Sequence, residues 1–118
     1  MSDVINVDAL KSKIETFAQM RDWEQFHTPK NLACALSVEA SELLEIFQWM
    51  NEGEQKNISI EKKEAVAEEL SDILTYAIRL AGVMDINLSD SIEKKIKNNA
   101  KKYPADLVRG SSKKYDEY

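Results

Sequence analysis

Little in this sequence can turn a chain sharply or tie distant parts of it together. Of its 118 residues only three are Gly and two are Pro. That is poor material for a turn-rich β fold, whereas 43% hydrophobic and 31% charged residues suit helices. Cys34 is the only cysteine, which excludes an internal disulfide and fits a reducing compartment. No apolar run approaches the roughly 20 residues of a membrane span. The N-terminus also lacks a basic region followed by an apolar stretch. The expectation is a cytoplasmic chain forming a single domain over residues 1–118.

Basic residues are missing in two windows. None occurs from Asn31 to Gln55, which holds Glu39, Glu42, Glu45, Glu52 and Glu54, and none from Glu64 to Ile78, which holds Glu64, Glu68, Glu69 and Asp72. From Lys94 to Lys114 the balance reverses, with eight basic residues against Asp106. An acidic middle repels polyanions unless a cation intervenes, and a basic end attracts phosphate. The net charge of −5 and the lack of a recognition module argue against nucleic acid as a partner.

Apolar residues recurring at helical spacing predict four helices. The first runs from Val7 to Trp23 and breaks over Gln25–Lys30. Thr28-Pro29, a cap followed by Pro at the first helical position, opens the second, which extends to Asn51 and stops at Gly53. Ser59 caps a third helix from Ile60 to Met84, and Ser89 caps a fourth that ends before Pro104. The tail from Ala105 to Tyr118 has no clear period. Two long central helices point to an all-α four-helix bundle with a basic C-terminal tail.

Turning 100° per residue around the second helix puts Leu32, Leu36, Leu43, Ile46, Phe47 and Met50 on one stripe. Glu39 falls inside that stripe and Glu42 at its edge, with Trp49 further along the same edge. On the third helix the stripe is Val66, Leu70, Ile73, Leu74, Ala77 and Ala81. Glu69 and Tyr76 share its edge, and Asp72 lies one turn beyond Glu69. Each central helix thus carries an acid pair at i and i+3. Such pairs repel unless a Lys or Arg stands three or four residues away, and none of these four acids has one. Elsewhere the chain supplies that partner, Lys94 to Asp90 and Lys97 to Glu93. An acid in an apolar stripe must be paired or protonated. Four oxygen donors on rigid helices suit Mg²⁺, with Mn²⁺ as a substitute, and do not suit Zn²⁺.

Trp23, Trp49 and Tyr76 are core candidates by habit, and Trp49 and Tyr76 are also placed to stack a base near the acids. His27, the only histidine, sits next to a helix cap, where a structural hydrogen bond is the default. Glu24-x-x-His27 has di-iron spacing, but a single copy at a helix break argues against that chemistry. The basic run is either a solvated face or a means of neutralising a triphosphate.

At this point the sequence resembles a known family. Glu39-x-x-Glu42 followed by Glu69-x-x-Asp72 looks like the signature of the all-α nucleoside triphosphate pyrophosphohydrolases of the MazG-like type. The segments Arg21–His27, Phe47-Gln48-Trp49, Glu68–Asp72, Lys102-Tyr103-Pro104 and Arg109-Gly110-Ser111 resemble the dCTP pyrophosphatase branch, and the likeness covers Phe17 to Tyr115. It implies Mg²⁺ on Glu39, Glu42, Glu69 and Asp72, with Glu39 or Glu42 activating water. It implies Trp23, His27, Trp49 and Tyr76 around base and sugar, and Asn99, Lys102, Tyr103 and Lys30 toward the phosphates or sugar. It further implies a homo-oligomer, a dimer or dimer of dimers, that cleaves nucleoside triphosphates to monophosphate and pyrophosphate in nucleotide-pool house-cleaning. Many members carry a further Glu before the first acid pair, where this chain has Val38, so the number of cations per site stays open. The alternative from another class is a non-catalytic helical interaction module, with the acids as surface charge.

Overall fold

The structure, a computed structural model, describes residues 4–111. Among them every regular element is helical: α1 (Val7–Met20), a 3₁₀ turn (Glu24–Phe26), α2 (Pro29–Phe47), α3 (Glu52–Lys56), α4 (Ile60–Val83), α5 (Leu88–Lys102) and α6 (Ala105–Val108). The chain divides into two compact units, Met1–Ile86 and Asn87–Tyr118. The all-α class and the four long helices, α1, α2, α4 and α5, agree with the sequence reading.

Side-chain caps start the long helices, satisfying amide donors that have no partner within the helix. Thr28 Oγ1 accepts from the Asn31 amide at 3.2 Å, with Pro29 opening α2. Ser59 Oγ accepts from Lys62 at 3.3 Å. The cap of α5 is Asn87, whose Oδ1 accepts from Asp90 at 3.1 Å, rather than the expected Ser89, which lies inside the first turn. Asn51 likewise caps α3, an element not expected because Gly53 reads as a stop. With Asn51 committed to that cap, α2 ends at Phe47, short of the predicted Asn51. The aperiodic tail contains one short helix, α6; Ser112 to Tyr118, including Lys113 and Lys114, lie outside the described residues.

Two helices end in a way that composition conceals. At the end of α1 the Trp23 amide donates to the Ala18 carbonyl at 3.0 Å and the Asp22 amide to Gln19 at 3.1 Å, with Asp22 at φ 54°. At the end of α4 the Ile86 amide donates to Ala81 at 2.8 Å and the Asp85 amide to Gly82 at 3.3 Å, with Asp85 at φ 55°. Both are Schellman closures, which usually place Gly at the left-handed position. Asp fills it here, so α1 stops at Met20 instead of reaching Trp23.

In the first unit α4 is the central element, with α2 packed on it most extensively and α1 second. Among the described residues, Leu32, Ile78, Ala18 and Ala81 are its buried apolar ones. Leu70 and Leu74, expected in the buried stripe of α4, are 52% and 39% exposed. The face that α1 and α2 cover is centred on Ile73, Ala77, Ile78 and Ala81, which leaves those leucines on an open flank. Val38 and Leu44 of α2 are exposed as well. In the second unit, Ile92 and Ile96 of α5 are exposed, and an exposed Arg109–Asp106 pair at 3.7 Å spans α6. The pairs Asp90–Lys94 and Glu93–Lys97 are not among the ion pairs of the described residues, as expected for long solvated side chains with little to gain from contact.

Candidate active site

Helical spacing puts Glu39 and Glu42 on one face of α2, and Glu69 and Asp72 on one face of α4. Packing of α2 against α4 brings three of them together. One carboxylate oxygen each from Glu39, Glu69 and Asp72 lie within 4.8 Å of one another. Glu39 and Glu69 are half-buried, and Asp72 is exposed. Glu42 is half-buried beside them and outside that three-oxygen set. The Oε2 atoms of Glu39 and Glu69 are shielded from solvent and accept no hydrogen bond.

The electrostatics follow from this crowding. Close approach of the Glu69 carboxylate, together with burial and the negative charge of Asp72 and Glu69, outweighs the lowering contact with Glu42 and pushes the Glu39 carboxyl above its ordinary range. Glu42 is pushed up by its contact with Glu39, then by the charge of Glu39 and by burial. For Glu69 the close contact with Glu39 pulls down, but burial and the charges of Glu42 and Asp72 outweigh it and the net shift is upward. Each shift says that the cluster wants positive charge. The donors are all hard oxygens, with neither His nor Cys among them. Two of the three residues also carry an orphaned shielded oxygen. A hard divalent cation fits this donor set, and a thiophilic one does not.

Next to the acids is a cleft of about 140 Å³ walled by α1, the 23–27 turn and α4. Ile14, Phe17 and Ala18 supply its apolar side, and Asp72, Thr75, Tyr76 and Arg79 come from α4. Asp72 therefore belongs to both the acid cluster and the cleft. The Schellman closure of α1 builds the remaining wall. It turns Trp23 back so that its ring meets Phe17 edge-on at 5.7 Å and His27 at 6.2 Å. The Arg21 guanidinium covers the Phe17 ring at 3.5 Å. Arg79 Nε donates to His27 Nδ1 at 3.0 Å. Burial first, and the Arg79 charge second, hold His27 below its ordinary value, so the imidazole is neutral at pH 7.

Trp23, His27 and Tyr76, predicted around a base, all line the cleft. Trp49 does not. The sequence places it on a helix edge with Glu42, whereas α2 has already ended at Phe47 and Trp49 is 87% exposed in the following turn. Lys30 is exposed in the first turn of α2 and is not part of the cleft lining. Asn99, Lys102 and Tyr103 belong to the second unit, where the Asn99 carbonyl accepts from the Tyr103 amide at 2.8 Å to close α5. Sequence reading missed Arg79, Thr75 and the α1 wall. A signal was present for the first two: Asp72, Thr75, Tyr76 and Arg79 recur at three- and four-residue steps along one face of α4.

An all-α chain with clustered carboxylates beside an aromatic cleft thus defines the class, and comparison with known proteins gives the family. The MazG-like family model matches residues 34–118, and the chain belongs to that family. It is 46% identical to dCTP pyrophosphatase 1 of Homo sapiens over 103 residues, covering 86% of this chain and 61% of that one. It is 45% identical over 101 residues to dCTP pyrophosphatase 1 of Rattus norvegicus, covering 84% and 59%. The chain thus spans about three-fifths of the length of these relatives. A crystal structure of a pyrophosphatase from Archaeoglobus fulgidus superposes with a TM-score of 0.79 at 36% identity, covering 88% of this chain and 97% of that one.

Proposed function

We propose that the chain is a Mg²⁺-dependent nucleoside triphosphate pyrophosphohydrolase that cleaves dCTP and related (d)NTPs with water to the monophosphate and pyrophosphate. The observation that carries this reading is the pair of shielded, unpartnered oxygens on Glu39 and Glu69, set beside Asp72 at the edge of an aromatic cleft. A polar atom buried without a partner is costly, so a site that keeps two of them is built for a ligand. The names of the relatives and the fold of the archaeal pyrophosphatase support the reaction class.

In this reading Glu39, Glu69 and Asp72 would hold the cation, with Glu42 as the fourth acid of the set. The bound cation would neutralise the triphosphate and polarise its phosphoryl oxygens. Trp23 and Tyr76 offer ring faces to the base, and His27 offers a polar edge. Asp72, shared by the cleft and the acid cluster, is where a triphosphate on a base seated in the cleft would reach the acids. Glu42 or Glu39 orients a water on the α-phosphorus and takes its proton. Carboxyls raised above their ordinary range are better bases than free ones. The new bond is water oxygen to α-phosphorus, the bond broken is α-phosphorus to bridging oxygen, and pyrophosphate leaves. By resemblance Trp49 is assigned to base and sugar, and Lys30, Asn99, Lys102 and Tyr103 to the phosphates or sugar.

The same reading makes the protein a cytoplasmic house-cleaning enzyme and a homo-oligomer, a dimer of dimers. The exposed Val38, Leu44, Leu70 and Leu74 on α2 and α4 support the assembly, because an apolar flank of that kind is a habitual interface. The test is product analysis with Mg²⁺ and each common dNTP and NTP. Monophosphate plus pyrophosphate, abolished by EDTA, is expected. Glu42→Gln should keep the fold and lose turnover. Orthophosphate as the product would refute α-attack, an active folded Glu42→Gln would refute the residue's role, and a folded wild type that neither cleaves nor binds nucleotide would favour a helical interaction module.

A further inference from the structure

Arg79 is an uncommon kind of arginine. It is 8% exposed, and among the described residues it makes no ion pair. A buried guanidinium without a carboxylate is expensive to keep and is retained where its donors have work. One of those donors is engaged: Nε–H points at His27 Nδ1 at 3.0 Å. That bond decides the chemistry of His27. A neutral imidazole has one N–H, and with Nδ1 accepting from Arg79 the proton must sit on Nε2. The lowered proton affinity of His27 agrees with a neutral ring.

Arg79 and His27 both line the cleft, so its polar edge is made of donors: the Nε2–H of His27 and the remaining N–H groups of a guanidinium, which has no acceptor at all. The apolar lining of Ile14, Phe17 and Ala18 accepts nothing from a ligand's polar edge. We propose that Arg79 is a positioning and specificity residue that locks His27 as a donor and gives the cleft a two-donor edge, matched to the adjacent N3 and O2 acceptors of cytosine. Thymine and uracil place N3–H between their two carbonyls, so one donor of the cleft would face another donor. A site built to satisfy hydrogen-bonding groups rejects an analogue that leaves them unpaired far better than an apolar pocket rejects a size change. This rests on the nucleotide reading above. It adds the cause of base selection and the residue responsible.

The test uses the fact that His27 is the only histidine, so the imaging of one imidazole by ¹⁵N NMR in the untagged, full-length protein is free of overlap. In the free wild type at pH 7.5 the ring should be the neutral Nε2–H tautomer. In Arg79→Met the Nδ1–H form should appear. A wild type in the Nδ1–H form, or an unchanged spectrum in Arg79→Met, overturns the proposal. The kinetic arm compares dCTP with dTTP. Arg79→Met should raise KM for dCTP about tenfold, the equivalent of about 1.4 kcal/mol, with kcat changed less than about twofold. The preference for dCTP over dTTP should fall by a similar factor, and Arg79→Lys should recover part of it. A merely structural role would lower the active fraction, hence kcat, and leave KM and the preference where they were. An equal rise in KM for both nucleotides would assign Arg79 to sugar or phosphate and overturn base selection. If the wild type cleaves no nucleotide, the activity reading fails separately. Titration with deoxycytidine and thymidine, read on the His27 resonances, then decides: a shift with deoxycytidine alone supports the proposal, and equal or absent shifts refute it.

Discussion

Removing His27 should cost more than removing Arg79, although they form one hydrogen bond. His27→Ala deletes the acceptor and leaves a guanidinium that is 8% exposed without its partner. Hydrogen bonds to charged groups contribute about 1.5–3 kcal/mol, and an abandoned buried donor loses that in full. His27 is only half-buried, so water recovers part of it and the expected loss is about 2 kcal/mol. Arg79→Met keeps much of the packing volume and removes the desolvated charge together with the donor. What remains is a half-buried imidazole nitrogen that water can reach, and exchanging a buried charge for an apolar side chain is often neutral, so the expected change is within about 1 kcal/mol. The double variant should then be more stable than the sum of the two predicts, with a coupling of about 1–2 kcal/mol. Urea unfolding at pH 7.5 and one fixed protein concentration measures all four proteins. With an m-value of about 1–3 kcal/mol/M, His27→Ala should lower the midpoint by roughly 1 M. If Arg79→Met is as damaging as His27→Ala and the two effects add, the guanidinium is not a buried liability held by His27, and the reasoning fails.

Three further outcomes are expected. Glu69→Gln should raise the melting temperature of metal-free protein at neutral pH while abolishing turnover, because it removes a negative charge from a crowded acid set in which Glu39, Glu42 and Glu69 itself are all pushed above their ordinary range. The pH dependence of the metal-free wild type has two opposed parts. Glu39, Glu42 and Glu69 bind protons more tightly folded than unfolded, so they add stability as pH falls from neutral through their raised values, complete below about 4.5. His27 binds its proton less tightly folded, so it removes stability as pH falls below 6.5. His27→Gln should therefore steepen the gain on mild acidification, and thermal melts from pH 7.5 to 5 would show it; a shallower gain would contradict the assignment. Asp85→Gly should stabilise by about 0.5–1 kcal/mol, because Asp85 holds a left-handed φ that glycine adopts freely. A loss of stability on chemical denaturation would mean that its side chain contributes something the backbone angle does not reveal.

The acid cluster was legible because it breaks two rules at once. Glu39 interrupts an apolar stripe, and none of the four acids has a basic neighbour at helical spacing. Both facts are local to one helix, so periodicity finds them. The α2 end was not legible in the same way. Trp49 keeps helical spacing with Glu42, but Asn51 offers a better cap for α3, and that competition is settled only in three dimensions. The end of α1 was hidden because Asp22 occupies a position usually marked by glycine. Leu70 and Leu74 fit the stripe of α4, yet their burial depends on what covers the flank, which one helix does not encode. Arg79 looks like the first cation after an acidic stretch. Its importance lies in a partner far away in sequence, His27, with which it shares a hydrogen bond.

The bonds that close α1 have a bearing on how variation in this chain is to be interpreted. The Trp23 amide that seals the helix at Ala18 also turns the indole into the cleft, so one residue's backbone carries a folding task while its side chain lines the cleft. Substitutions at Asp22 or Trp23 cannot be sorted into stability defects and recognition defects by phenotype alone. A change that loosens the helix end will misplace the ring and be scored as weakened binding. Cleft variation without that penalty should come from Ile14, Phe17 and Thr75, whose side chains line the same space from within continuous helix. Those positions, rather than the Arg-Asp-Trp corner, are where the family has room to retune what the cleft accepts.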